Sequence, residues 1–304
     1  MFNITCTGPA YLSWRLNGRR VNPTYKSRVD QHILHVINRQ TSLNVICSHA
    51  FDPLNRARAV PVASSEFTGW RLPLIDSPAG PCAPNAKIIE QQAGCVIPAH
   101  FHTCHQFQVV SAGGGLLGRK PVQPWTVHYT SPDTGYGPIE AGEEGLSYYV
   151  LRPQIDPGAK FMPQSRGLMR AGLPKHHAVS GPIDVPGASA LAALGTMRVQ
   201  TCLPLTPEGM AVWQVGLPPG ERLLASELPG DGARFYLVTA GALVQVDTGA
   251  PADVPARAHA ATQPLLSVGS LCFAERADAF SLQASPAGAD VLVLQFPPEA
   301  TMAA

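Results

Sequence analysis

The sequence is short of charge. Only 14% of its 304 residues are Asp, Glu, Lys or Arg, well below the usual quarter, so it is not a charged disordered tail. No uninterrupted apolar run reaches the roughly 18 residues that a spanning helix needs, which excludes a helical integral membrane protein. The seven cysteines, Cys6, Cys47, Cys82, Cys95, Cys104, Cys202 and Cys272, are odd in number, scattered and free of any CxxC pair. A disulfide framework and a cysteine zinc site are therefore disfavoured, and most of these residues are expected to be small apolar side chains in a reducing compartment. GxSxG elbows, P-loops, GxGxxG turns after a strand and HExxH pairs are absent too. The start, MFNITCTGPAYLSWRLNGRR, lacks the basic stretch and following apolar core of a secretory signal, so a cytoplasmic location is expected.

Breakers, by contrast, are plentiful. Thirty prolines and 28 glycines, about one residue in five, cannot sit inside long helices, show no collagen period and are interleaved with short Val/Leu/Phe/Tyr runs. An all-β fold follows. The length is roughly two domains, and two series of candidate strands fit that division. NAKIIEQQAGCVIP, HQFQVVSAGG, TVHYTS and GLSYYVLRP form the first, and MAVWQVGLPPG, ARFYLVTAGALVQV, PLLSVGSLCFAE, AFSLQA and DVLVLQFPP the second. The expected organisation is an N-terminal extension over 1–58, a first unit over 59–155, a breaker-rich connector over 156–192 and a second unit over 193–304. Within the extension, Val29, Ile33, Val36 and Ile37 suggest one short helix.

A net charge of +1 conceals an asymmetry, since residues 1 to 60 hold eight Lys/Arg and two acids. That segment has no heptads, zinc spacing or dense basic block, so neither nucleic acid nor a membrane is expected as a partner.

The chemistry concentrates in Gly94-CVIPA-His100-Phe-His102-TCH-Gln106-FQVVSA-Gly113. Two histidines two apart on a strand project to one face, where their imidazoles converge. Cys104, Gln106 and Gln108 share that parity and would line the same wall, whereas His105 points away.

These residues resemble the first motif of the cupin superfamily, G-x5-H-x-H-x3,4-E-x6-G, matched at both glycines, both histidines and every spacing, with Gln106 in place of the glutamate. The resemblance implies two antiparallel β-barrels (double-stranded β-helix, jelly roll) in tandem over about residues 59 to 300. It also implies a divalent metal, Fe, Mn, Ni or Zn, held by His100, His102 and the motif's fourth position. Gln106 would either ligate through its amide oxygen or hydrogen-bond a metal-bound water. The superfamily's second motif, G-x5-P-x-G-x2-H-x3-N, is expected near TSPDTGYGPIEAGEEGLSYYVLR, where Pro138 and Gly142 suggest its turn, but its histidine is missing. No histidine lies between His128 and His176, so the third ligand is His128 or a carboxylate such as Glu143. Glycines 113–115 lack a following Lys-Ser/Thr and fall where cupins turn a strand.

The second unit repeats the rhythm without an HxH. His259 lies in PARAHAATQP, read as a loop, and counting seven back from Gly241 puts Arg234 where the glutamate would be. The resemblance thus points to one metallated and one structural barrel, and to a metal-dependent cupin enzyme, dioxygenase-like, acting on a small and anionic organic molecule. Gln108, Tyr129, Tyr136 and Tyr148 are the candidate substrate contacts, with Tyr149 nearby, and His176 and His177 are read as exposed connector residues. A homo-oligomer, a homodimer, is expected; a non-catalytic metal or small-molecule binding cupin and a structural oligomerising barrel are the alternatives.

Overall fold

The computed structural model describes residues 15–16, 19–20, 45–48, 53–77, 83–246, 265–275 and 281–301. The helix expected within the extension, His259, Cys6 and Cys82 lie outside the described residues.

Two large antiparallel sheets dominate. In the first, strands run in the order His177–Pro182, Thr126–Thr130, Gln106–Leu117, Ile139–Arg152, Asn85–Gln91, Thr68–Asp76 and Val60–Ala63. The second runs Arg198–Leu203, Ala211–Leu217, Ser281–Gln295, Arg234–Val246, Leu271–Ala274 and Val45–Ser48. Alternation along the long strands decides what each face does. Phe107, Val109, Val127, Tyr129, Tyr149 and Leu151 pack against Phe235, Leu237, Leu292 and Leu294 of the second sheet and Phe296 just past its end, each such burial contributing about 1.5–3 kcal/mol. Val110, Tyr148 and Val150, on the opposite parity, fill the first barrel with Ile89, Leu117, Ile139 and Leu146. Even-numbered side chains of Gln106–Leu117 therefore begin in the barrel interior, but the single strand expected from His100 to Gln108 is broken at residues 102–105, and His100–Phe101 belongs to a separate two-stranded sheet.

Both barrels turn their corners alike. Gly113 has φ +70°, and a Cβ there would lie 2.1 Å from the Gly145 carbonyl oxygen. Gly241 has φ +67°, with the Gly288 oxygen 2.3 Å from the same imagined atom. Only glycine combines this backbone with so close an approach. The ladder slips register at both corners, between Ala141 and Leu146 and between Gly241 and Leu243.

Two segments read as outside the units supply edge strands. Val45–Ser48 pairs with Leu271–Ala274, and His177–Pro182 pairs with Thr126–Thr130. The expectation that the cysteines are unpaired is corrected at one point, because Cys47 and Cys272 form a disulfide 225 residues apart in sequence. Opposed positions on neighbouring strands bring the two sulfurs together, a proximity that spacing in the sequence does not reveal. That pair no longer speaks for a reducing compartment.

Candidate functional site

The histidine motif is pinned from two sides. The short strand His100–Phe101 pairs with Lys160–Phe161, while the Tyr136 and His100 backbones exchange hydrogen bonds of 3.0 Å in both directions and the Asp133 N–H donates to the His102 carbonyl at 2.7 Å. The turn-rich segment TSPDTGYGP thus lies directly against the histidines and delivers Tyr136 to them.

A continuous hydrogen-bonded network results. His100 Nδ1–H donates to the Pro98 carbonyl at 2.7 Å, which leaves Nε2 to accept the Tyr136 hydroxyl at 2.9 Å. That hydroxyl in turn accepts the Gln106 amide N–H at 2.8 Å. Gln106 Oε1 accepts two N–H groups of Arg152, from Nε at 2.9 Å and Nη2 at 2.6 Å. Arg152 Nη2 also lies 3.1 Å from His102 Nε2, and Nη1 is 3.4 Å from Asp156 Oδ1. His102 Nδ1–H closes the set on Asp156 Oδ1 at 2.7 Å, with the Gly158 and Thr103 N–H groups donating to the same carboxylate.

Burial fixes the protonation states. It drives His100 down to about 4 and lowers His102 despite the opposing hydrogen bond to Asp156, so both imidazoles are neutral near pH 7. Burial opposes ionisation of Asp156, but the His102 hydrogen bond and the Arg152 charge outweigh it and hold the carboxyl well below its usual range. Cys104, whose Sγ is 3.6 Å from Asp156 Oδ2, is pushed up to about 12 by burial and is a thiol. Lys87 is lowered to about 8, first by burial and then by Arg152, and keeps most of its charge at neutral pH.

Deeper in the barrel, Gln108, Val110, Leu117, Val122, Thr126, His128, Ile139, Leu146 and Tyr148 line a narrow cavity of about 20 Å³, room for a water molecule. His128 Nδ1–H donates to Gln108 Oε1 at 2.6 Å, and its Nε2 is buried without a partner. Burial drives His128 far below its ordinary value, so Nε2 presents a lone pair.

Of the sequence candidates, His100, His102, Gln106 and Tyr136 come together, while Gln108, His128 and Tyr148 share the adjoining cavity. The Tyr136 ring packs against His100 and His128 at centroid distances of 4.5 and 4.9 Å. Tyr129 is a correction: it lies on the outward parity of its strand, shares a 2.7 Å hydrogen bond with His105 Nδ1 and packs on Phe107 in the core between the sheets. Tyr149 also faces outward, its hydroxyl donating to the Gly269 carbonyl, and Glu143 is exposed within the strand Ile139–Arg152. His177, though exposed, packs edge-on against His128 at 4.8 Å, so it is more than a connector residue. Arg152, Asp156 and Lys87 were not legible as site residues. The one available signal was a cation ending the apolar run YYVLR.

The donor set does not fit a divalent cation. Of the four donors the cupin resemblance assigns to a metal, His100 Nε2, His102 Nε2 and Gln106 Oε1 face the Tyr136 hydroxyl and the Arg152 guanidinium, and only His128 Nε2 is without a partner. A divalent ion about 4 Å from that guanidinium would meet a repulsion of about 8 kcal/mol at an effective dielectric of about 20. Among the described residues no group of three or more His, Cys, Asp or Glu side chains is arranged to hold a metal ion. In the second barrel, Arg234 is fully buried and bonded to Gln295 and to the carbonyls of Leu228, Pro229 and Gly230.

No protein-family model matches the sequence, and no curated protein matches it. Solved structures do resemble the fold. Salicylate 1,2-dioxygenase from Pseudoaminobacter salicylatoxidans, crystallised with gentisate, superposes with a TM-score of 0.52 at 14% identity over 84% of this chain and 82% of that one. A protein from Pseudomonas aeruginosa named as glyoxylate-induced gives a TM-score of 0.51 at 10% identity over 89% and 91%. At such identities the likeness is one of fold alone. The chain has the fold of the cupin superfamily, with two jelly-roll barrels in tandem.

Proposed function

We propose that the first barrel of this cupin-fold chain is a site for a small organic anion, recognised by the chain's own groups. Buried charge carries this reading. Arg152 and Lys87 bring two positive charges to the wall and Asp156 one negative charge, leaving an excess of one cation in an interior where a carboxylate or enolate oxygen gains more than it would in water. The Tyr136 hydroxyl is placed to donate to such an oxygen on turning from His100. His102, its Nδ1–H fixed by Asp156, offers Nε2 as the atom that takes or holds a proton once Arg152 Nη2 shifts to the ligand.

Calorimetry and thermal shift with formate, acetate, oxalate and formamide test it. At least one anion should raise the melting temperature, the neutral amide should not, and the shift should shrink in Lys87→Met and at high salt. An anion effect that is absent, or unchanged in Lys87→Met, would contradict the assignment.

A metal-dependent dioxygenase in the same barrel is the second reading, and the unpartnered Nε2 of His128 favours it. It requires Tyr136 and Arg152 to leave the histidines and Gln106. Oxygen consumption by metal-loaded protein, lost in His128→Ala, would support that reading over the first.

A further inference from the structure

We infer that Arg152 is the resident cation of the first barrel, seated where a divalent ion would be held and thereby excluding it. Two independent observations support this. The guanidinium meets two of the four donor atoms of the would-be ligand set, Gln106 Oε1 at 2.9 and 2.6 Å and His102 Nε2 at 3.1 Å. Its charge and its N–H geometry supply what those lone pairs need, and a planar guanidinium fork suits that role better than an ammonium.

The second observation lies in the other barrel. Arg152 and Gln106 stand opposite one another, one step beyond the Leu151 and Phe107 pair. Arg234 and Gln295 stand opposite one another at the corresponding place, and Arg234 Nε donates to Gln295 Oε1 at 2.8 Å. The same arginine–glutamine clasp therefore joins the same two strands in both barrels, with the two residues exchanged between strands. No histidine is present among the described residues of the second barrel, so the clasp stands there without any ligand set. In the first barrel it coincides with two histidines. The glutamine is part of the same device: an amide at position 106 offers Arg152 an acceptor and Tyr136 a donor at once, which a carboxylate cannot do.

It follows that removing the guanidinium and restoring the carboxylate should open a metal site. The untagged full-length chain would be titrated with Ni²⁺ and Co²⁺ by calorimetry and visible absorption, as wild type, Gln106→Glu and the double variant Arg152→Met/Gln106→Glu. Wild type and Gln106→Glu should bind neither ion in the barrel, because the guanidinium stays. The double variant should bind at least about 100-fold more tightly than wild type, with cobalt ligand-field bands that a further His100→Ala abolishes. Barrel binding by wild type, seen as bands lost in His100→Ala, would overturn the proposal, as would a folded double variant that binds no better. Where the double variant does not fold, Gln106→Glu decides: a gain in affinity with Arg152 still present contradicts the exclusion, and unchanged affinity upholds it. Anion binding in the wild type is read separately, so its failure would leave this test standing.

Discussion

Acidification should unfold the first barrel before it protonates the barrel's histidines in place. His100 and His105 each titrate at about 4 in the folded chain against 6.5 as free side chains, burial being the leading cause in both. The folded state therefore binds fewer protons than the unfolded state between these values. Stability is fully present above pH 6.5, falls as the pH drops towards 4 and levels off below. Each site contributes about 3 kcal/mol across that window, since every tenfold change in proton affinity is worth about 1.4 kcal/mol, and His128 acts in the same direction. The sum, on the order of 6 kcal/mol or more, rivals the roughly 5–15 kcal/mol that holds a typical domain together. Urea unfolding at half-unit steps from pH 8 to 4.5, followed by tryptophan fluorescence and far-UV circular dichroism, measures the slope. At pH 5 the two histidines should give a slope of about 2.4 kcal/mol per pH unit, and His105→Gln should remove about half of it. A stability flat from pH 6.5 to 4.5 would refute the reasoning, because it would mean that these imidazoles take up protons in the folded chain.

The corner glycines allow a paired test: Gly113→Ala and Gly241→Ala should each cost at least about 2 kcal/mol, since the added Cβ meets a carbonyl oxygen in a left-handed backbone, and denaturant midpoints will read it. Tyr136→Phe removes the hydroxyl shared by His100 and Gln106 and should destabilise by about 1–3 kcal/mol through the donor and acceptor left unpaired. Cys47→Ser deletes the tie between the Val45–Ser48 strand and the second barrel, with an expected loss of about 2–4 kcal/mol and faster proteolysis before residue 53; a reductant should reproduce the effect in the wild type.

Part of this site was written in period-two spacing. Gln106 and Gln108 share one parity on a single strand, whereas residues 102–105 interrupt it, and the pairing of His100–Phe101 with Lys160–Phe161 and the contacts to Tyr136 and Asp156 bring His100 and His102 beside them. Tyr129 shows the same rule used too loosely: in TVHYT, His128 takes the inward parity, so its neighbour must point out into the core between sheets. No histidine stands in the stretch around Pro138, whereas His128 precedes it by ten residues. On the strand beside Gln106–Leu117 it meets Gln108. Arg152 and Asp156 escaped because their meaning is tertiary. A cation at the end of a strand and an aspartate four residues on in a proline-rich connector are neighbours in sequence, 3.4 Å apart, but only the fold brings them beside His102. Cys47 and Cys272 escaped for the same reason.

The most direct test of the central claim, that a guanidinium occupies the place of a metal in the first barrel, is the metal content of the untagged wild-type protein. It should be measured by elemental analysis after expression with added Fe, Mn, Ni and Zn salts and desalting. Far less than one ion per chain is predicted for every metal. Near one ion per chain, lost when His100 and His102 are replaced by alanine in a protein that still folds, would contradict it.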